Sequence, residues 1–288
     1  MLASFLITFR EALEAALIVG IIAAYLAKIG RKDLYRYLYA GIIGAVVASA
    51  GVALAFKFIY GELQGTAEQL FEAAAALTAS AVLTYMIFWM AGNSKKIKGE
   101  LQEKIDVSIS EGQMLGVAAL SFISVFREGV ETVLFLGTLA IISPLDTLIG
   151  FILGVAAVTG MSLIMFKGIY SLDVGRFFKY TSILLILFSA GLIATGVHEL
   201  NEAGIIPPVV EHVWDINPPV NPDGTYPPLH ENGIIGSSLK SLVGYSASPS
   251  LTEVLAYIGY WLVTGFFVYR TYRVPGAAKA EEVRTYGS

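Results

Sequence analysis

Long apolar runs separated by short polar stretches constrain the fold of this chain more than any other feature of its sequence. A helix needs about 20 mostly apolar residues to cross roughly 30 Å of hydrocarbon. Seven segments meet that length, near 2–28, 36–60, 67–91, 112–142, 146–170, 179–201 and 251–271. Only 15% of the residues are charged, whereas a soluble domain carries about 25%. We therefore predict an all-α, polytopic membrane protein with seven transmembrane helices.

The first apolar run has the length of a secretory signal peptide but not its pattern. It lacks a basic n-region, and Arg10, Glu11 and Glu14 interrupt the stretch that should be purely apolar. We expect this run to be retained as the first span.

The basic residues predict the orientation of the chain. Fifteen of the 19 Lys and Arg residues fall in stretches that would lie on one side of the membrane, and Lys57 and Lys240 fall on the other. Cytoplasmic loops carry an excess of Lys and Arg. We therefore expect a multi-pass protein of the plasma or inner membrane, with the N-terminus outside and the C-terminus in the cytoplasm.

The composition excludes several function classes. The chain contains no cysteine, which rules out disulfides, thiol catalysis and cysteine-based metal sites. Its net charge of −4 offers no case for binding nucleic acid. Any metal ion must be held by oxygen atoms or by one of three histidines.

An internal repeat relates the first and fourth predicted spans. Ser4–Gly20 and Ser121–Gly137 are identical at 8 of 17 positions, including Phe-Arg-Glu-x-x-Glu. Because each repeat unit contains three spans, an odd number, the second copy would enter the membrane from the opposite side, as in many secondary transporters. We predict a 3+3 inverted repeat plus one extra C-terminal helix.

The predicted units are a first repeat (1–92), a cytoplasmic loop (93–110), the inverted repeat (111–202), an outer Pro-rich loop (203–250), the seventh helix (251–273) and a cytoplasmic tail (274–288). The outer loop is open to two interpretations, an ordered cap or docking surface and a passive linker.

Each repeat copy places an Arg and two Glu inside a predicted span. Arg10 and Glu14, like Arg127 and Glu131, are four residues apart and share a helix face. An ionised side chain at mid-membrane costs about 2.5–3.5 kcal/mol, so these groups should face the bundle interior, with each Arg paired to a Glu. Intramembrane ionisable groups are functional by default.

The carboxylates suggest a cation site. Carboxylate oxygens suit multivalent cations, and arginine cannot lose its proton. We hypothesise that an entering cation replaces the Arg as partner of the Glu oxygens, and that rocking of the two halves lets the Arg reclaim them and release the ion inward. The competing interpretation is that both Arg–Glu pairs are structural pins between helices.

These residues resemble a known family. Arg-Glu-x-x-Glu in the first and fourth of seven spans is the signature of the oxidase-dependent high-affinity iron permeases, which include fungal plasma-membrane and bacterial Efe-type members. The resemblance extends to Phe88-Trp89-Met90 and to the segment 196–204. This chain reads Arg-Glu-Ala-Leu-Glu at 10–14 and Arg-Glu-Gly-Val-Glu at 127–131, where several members read Arg-Glu-Gly-Leu-Glu. The charged positions are intact, so this departure concerns packing more than binding.

The resemblance implies iron import without a resident cofactor. It implies Glu11, Glu14, Glu128 and Glu131 as iron-binding residues, with Arg10 and Arg127 as essential counter-ions. It leaves open whether the ion is Fe³⁺ or Fe²⁺, and some relatives are linked to lead. Any oxidase or extracytoplasmic iron-capture protein would be a separate chain.

Further acidic and histidine side chains lie at the predicted outer mouth. They are Glu68, Glu72, His198, Glu199 and Glu202. Such a vestibule would concentrate cations ahead of the site. Simpler interpretations are that Glu68 complements the dipole of the helix it begins, and that His198 and Glu199 form a hydrogen-bonded pair at a helix end.

Three alternatives to an iron permease remain open from the residues. The first is a transporter of another divalent cation, such as lead or manganese, because carboxylates alone do not select iron. The second is an intramembrane metal-dependent enzyme, against which the duplicated inverted motif stands. The third is a metal sensor, for which the tail after Arg273 is too short to form an output domain. We expect a transporter and not an enzyme.

Overall fold

The computed structural model describes residues 1–93, 97–110, 114–166 and 174–273. All regular structure in these ranges is helical, which confirms the predicted fold class. The α-helices are α1 (Leu2–Lys28), α2 (Tyr35–Glu62), α3 (Thr66–Asn93), α4 (Ile97–Ser110), α5 (Met114–Ile142), α6 (Pro144–Phe166), α7 (Val174–Glu202), α8 (Ile234–Val243) and α9 (Leu251–Arg273). The predicted tail 274–288 lies outside the described residues.

Five helical segments in the described ranges are long and apolar enough to cross a membrane. They are Lys32–Glu62, Thr66–Met90, Pro144–Ile164, Thr181–Glu202 and Leu251–Arg270. The α1 and α5 helices are 27 and 29 residues long, but each carries an Arg and two Glu in its apolar stretch and is not among the five. The protein is therefore a multi-pass membrane protein, and the count of seven spans stays a prediction.

The helices pack in pairs around α1 and α5. The α1 helix contacts α5 and α6, whereas α5 also contacts α2. The α3 and α7 helices pack against each other, and α9 packs on α7. Apolar side chains of α1, α3, α5 and α7 form one buried cluster, which includes Ile7, Leu83, Phe135 and Phe188. The motif-bearing helices thus lie next to each other, with the remaining helices around them.

Glycines permit the closest approaches of α1 to α6 and of α5 to α2. A Cβ on Gly150 would lie 2.6 Å from the Met1 carbonyl oxygen and would also meet Ser4 Oγ. A Cβ on Gly41 would lie 2.9 Å from Ser121 Cβ. Ser4 and Ser121 hold the same position in the two sequence copies, so the two contacts correspond to each other.

The stretch predicted as a charged loop at 93–110 contains a helix. Leu101 and Ile105 of α4 belong to one apolar cluster with Leu26 of α1 and Val117 of α5. These two residues are four apart and therefore share one face of α4. Because charged residues dominate the stretch, its sequence did not indicate this short apolar face.

The segment 203–250, predicted as an outer loop, is folded in the structure. Its two arms are joined by backbone hydrogen bonds, in which Val213 N donates to Pro249 O over 2.9 Å and Ile216 N to Ala247 O over 3.0 Å. The α8 helix packs on α7 and is followed by Gly244, whose φ of +69° favours glycine. The backbone of Gly244 lies directly against that of Gly191. The segment therefore packs on the helices, and its location outside the membrane stays a prediction.

Candidate metal site

Three glutamates from the two motif copies converge between α1 and α5. Glu11, Glu128 and Glu131 each offer a carboxylate oxygen, and these three oxygens lie within 4.8 Å of one another. Glu11 and Glu128 are 1% and 3% exposed, and the Glu131 side chain is 13% exposed. This spacing allows one cation to contact all three carboxylates.

In the first motif, the buried arginine pairs with both glutamates of its own motif. Arg10 Nη1 donates to Glu11 Oε1 over 2.7 Å. Arg10 Nη2 lies 2.9 Å from Glu14 Oε1, an ion pair whose geometry does not make a hydrogen bond. The structure therefore pairs Glu14 with Arg10. Glu14 is close enough to interact with Glu128 and Glu131, but it is not one of the three glutamates whose oxygens lie within 4.8 Å of one another.

The second motif has a more open arrangement. Arg127 Nε donates to Glu131 Oε1 over 2.9 Å and lies 3.8 Å from Glu128 Oε1. The guanidinium also stands 5.0 Å from the centre of the Trp89 ring, within range of a cation–π interaction. The Arg127 side chain is 43% exposed. Arg127 thus has three partners, the carboxylates of Glu131 and Glu128 and the ring of Trp89.

One oxygen of each shared glutamate lacks a hydrogen-bond partner among the described residues. These atoms are Glu11 Oε2, Glu128 Oε2 and Glu131 Oε2. Buried carboxylate oxygens without partners are costly, because they have lost water and gained nothing in return. A cation bound among them would supply the missing interaction.

A cavity of about 860 Å³ adjoins this group and is lined by α1, α2, α5 and α6. Glu11 and Glu128 are on its wall, and so are Lys57 and Tyr60 from the last turns of α2. The cavity therefore connects the glutamates with the end of α2 that leads into α3.

Tyr60 connects this cavity to two of the predicted vestibule residues. Its hydroxyl lies 2.9 Å from Glu72 Oε1 and 3.2 Å from Glu68 Oε1, as a hydrogen-bond donor to these carboxylates. Tyr60 was not among the residues predicted from the sequence. The one sequence feature that pointed to it was its position eight residues before Glu68, across the short turn between α2 and α3.

The other predicted vestibule residues lie on α7. His198 Nδ1 is 3.2 Å from Glu253 Oε1 of α9, and Glu253 is 6% exposed. The carboxylate of Glu199 interacts with that of Glu72, whereas Glu202 is exposed. None of these residues belongs to the Glu11–Glu128–Glu131 group. Sequence reasoning missed Glu253, because only the tertiary packing of α9 on α7 places it beside His198.

Comparison with known proteins identifies the family of this chain. The family model described as "Iron permease FTR1 family" matches residues 1–274. An uncharacterised protein of Archaeoglobus fulgidus is 36% identical over 94% of this chain and 96% of its own length. A Yersinia pestis protein named ferrous iron permease EfeU is 33% identical over 90% of each chain. An Escherichia coli protein of the same name is 31% identical over 90% of this chain and 92% of its own. No solved structure matches the chain significantly. The chain therefore belongs to the iron permease FTR1 family.

Proposed function

We propose that this protein imports iron through a site shared by Glu11, Glu128 and Glu131. The observation that carries the proposal is the 4.8 Å spacing of one oxygen from each, contributed by two copies of one motif. Hard cations prefer oxygen ligands, and three carboxylates offset their charge. The membership of the iron permease family and the names of the EfeU relatives support iron as the cargo.

The proposed framework is seven spans arranged as a 3+3 inverted repeat with α9 added. The helix pairing supports it, because α1 packs on α6 as α5 packs on α2. The contacts of Gly150 with Ser4 and of Gly41 with Ser121 support it further, since each joins one copy of the repeat to the other. Under this proposal α1 and α5 cross the membrane in opposite directions, and their charged residues face each other and not lipid.

The two arginines act as counter-ions in the proposed transport cycle. With no ion bound, Arg10 pairs with Glu11 and Glu14, whereas Arg127 pairs with Glu131 and Glu128. An arriving cation takes the place of Arg127 beside Glu128 and Glu131, while Arg127 keeps its contact with the Trp89 ring. When the halves rock, Arg127 returns to Glu131 and the ion leaves on the other side.

The proposed direction of transport is inward, with the N-terminus outside. The turn between α2 and α3 then lies outside, and the large cavity leads from that side to Glu11 and Glu128. Tyr60, Glu68 and Glu72 stand at its outer end. A separate oxidase or extracytoplasmic capture protein would deliver iron there. A reporter enzyme fused after residue 273 tests the orientation, since activity outside the cell would contradict it.

Uptake by purified protein in liposomes tests the proposed function. The wild type should accumulate radioactive iron, offered as Fe²⁺ and as Fe³⁺ in separate assays, in preference to lead and manganese. Glu128→Gln should lower uptake at least about tenfold, because one of three shared ligands is lost. Glu62→Gln is the matched control, since it removes the same charge from an exposed site at the end of α2. Equal uptake by Glu128→Gln and the wild type would overturn the site. Manganese or lead uptake in place of iron would overturn the cargo.

A further inference from the structure

Two buried hydroxyl groups lie in the wall of the cavity that adjoins the glutamates. Thr8 of α1 is 1% exposed, and Ser49 of α2 is half-buried. Thr8 Oγ1 and Ser49 Oγ are both buried atoms without a hydrogen-bond partner among the described residues. Both residues line the cavity together with Glu11 and Glu128. A buried hydroxyl without a partner has a free energy cost, so each of these two requires an explanation.

Hydroxyls on the neighbouring helices α5 and α6 avoid this cost in the usual way. A Ser or Thr in a helix commonly donates to the carbonyl four residues earlier. Ser121 donates to Val117 O over 2.7 Å, Thr132 to Glu128 O over 2.7 Å and Thr147 to Ser143 O over 2.8 Å. Thr8 and Ser49 leave their hydroxyls free of such bonds, on the wall where the glutamates lie.

The residue after Glu128 makes room for the Ser49 side chain. A Cβ on Gly129 would lie 2.8 Å from Ser49 Cβ and would overlap with Ser49 Oγ. The first motif has Ala12 at the matching position. The glycine therefore lets α2 bring a hydroxyl next to the backbone that carries Glu128. On α1, Thr8 precedes Glu11 by three residues and lies on the same helix face.

We propose that Thr8 and Ser49 are neutral oxygen ligands for the cation as it passes from the cavity to the three glutamates. This inference rests on the proposed function. Hard divalent cations take about six oxygen ligands, and three carboxylates supply only part of that set. Hydroxyl oxygens replace water molecules of the hydrated ion without adding negative charge, so they help to dehydrate it and do not trap it.

Removal of each hydroxyl with little change of shape tests the assignment. The variants are Thr8→Val and Ser49→Ala, with Thr8→Ser as the version that keeps the oxygen. Thr264→Val is the matched control, because Thr264 of α9 is 2% exposed and its Oγ1 is also unpartnered, yet it does not line the cavity. Equilibrium binding of Fe²⁺ to each purified protein is measured beside iron uptake in liposomes.

We expect Thr8→Val and Ser49→Ala to raise the Kd for Fe²⁺ and the KM for uptake about tenfold each, while Thr8→Ser and Thr264→Val stay near the wild type. Wild-type binding by Thr8→Val and Ser49→Ala would overturn the inference and leave the proposed function intact. An equal loss in Thr264→Val would also overturn it, since the effect would then come from packing. If the wild type binds Fe²⁺ but does not carry it across the bilayer, the proposed function fails, whereas the binding data still decide on the two hydroxyls.

Discussion

Arg10 and Arg127 hold the same position in two copies of one motif, yet the Arg10 side chain is 1% exposed and that of Arg127 is 43% exposed. Arg10 is enclosed with Glu11 and Glu14 on its own helix. Arg127 contacts Glu131 and faces the ring of Trp89. The repeated sequence is therefore present in two different arrangements, one closed and one open. Under the proposed cycle, Arg127 is the arginine that the arriving cation displaces from Glu128 and Glu131.

The first prediction concerns the stability of the two arginine variants. Arg10→Gln leaves Glu11 and Glu14 buried without a counter-charge, and loss of one partner of a buried pair costs about 3–5 kcal/mol. Arg127→Gln should cost much less, because 43% of that side chain is exposed and its charge is not enclosed by protein. We expect thermal unfolding in detergent to fall by several degrees more for Arg10→Gln than for Arg127→Gln. Equal shifts would contradict the difference in burial.

The second prediction concerns Trp89 and Arg127 as an interacting pair. A partly exposed cation–π contact is worth about 0.5–1 kcal/mol. Trp89→Leu and Arg127→Gln should therefore be non-additive when combined, and the double variant should be more stable than the sum of the single effects predicts. A double-mutant cycle on thermal unfolding measures the coupling. Trp89→Leu should also slow iron uptake, because Arg127 then lacks the ring contact that it keeps when the ion is bound. Strict additivity would remove Trp89 from the proposed cycle.

The third prediction concerns two glycines of α6, one packed closely against α1 and the other with open space around it. Alanine at Gly150 would press its Cβ against the backbone of α1, which should destabilise the protein by about 1–3 kcal/mol. Alanine at Gly160 meets nothing within 4 Å and should stabilise the helix by up to about 1 kcal/mol. The two variants should shift thermal unfolding in opposite directions. A shared direction would show that α1 and α6 do not approach each other as described.

The fourth prediction concerns Lys57, a positively charged side chain on the cavity wall. Lys57→Gln removes a positive charge beside the route of an entering cation. We expect the KM for iron uptake to fall about two- to fivefold at low ionic strength, and the effect to shrink as salt is added. Lys57→Arg keeps the charge and should behave as the wild type. An unchanged KM in Lys57→Gln at low salt would show that the ion does not pass through this cavity.

The sequence contained enough to predict the helical fold and the meeting of the two motifs. The apolar runs determined where helices form, and the duplicated Phe-Arg-Glu-x-x-Glu indicated which two of them lie together. It did not reveal that Glu14 would be held by Arg10 while Glu131 joins Glu11 and Glu128. The two motifs are equivalent in sequence, so their difference can arise only from tertiary packing.

Other residues near the site had weak signals in the sequence or none. Tyr60 and Glu253 reach their partners from a different helix, Ser49 lines the cavity from α2, and none of the three lies within a repeated motif. The small apolar face of α4 was hidden among charges, because Leu101 and Ile105 alone mark it. The order in the segment 203–250 comes from backbone hydrogen bonds between residues far apart in sequence, which a pattern of prolines does not predict.

The most direct test of the shared site is the location of a bound metal ion in a crystal of the full chain soaked with Fe²⁺. Anomalous scattering collected at the iron edge identifies the ion independently of the protein atoms. We predict one strong peak within coordination distance of an oxygen from each of Glu11, Glu128 and Glu131, and its loss in Glu128→Gln. A peak confined to the predicted vestibule residues Glu68, Glu72 and Glu199, with none between α1 and α5, would contradict the account.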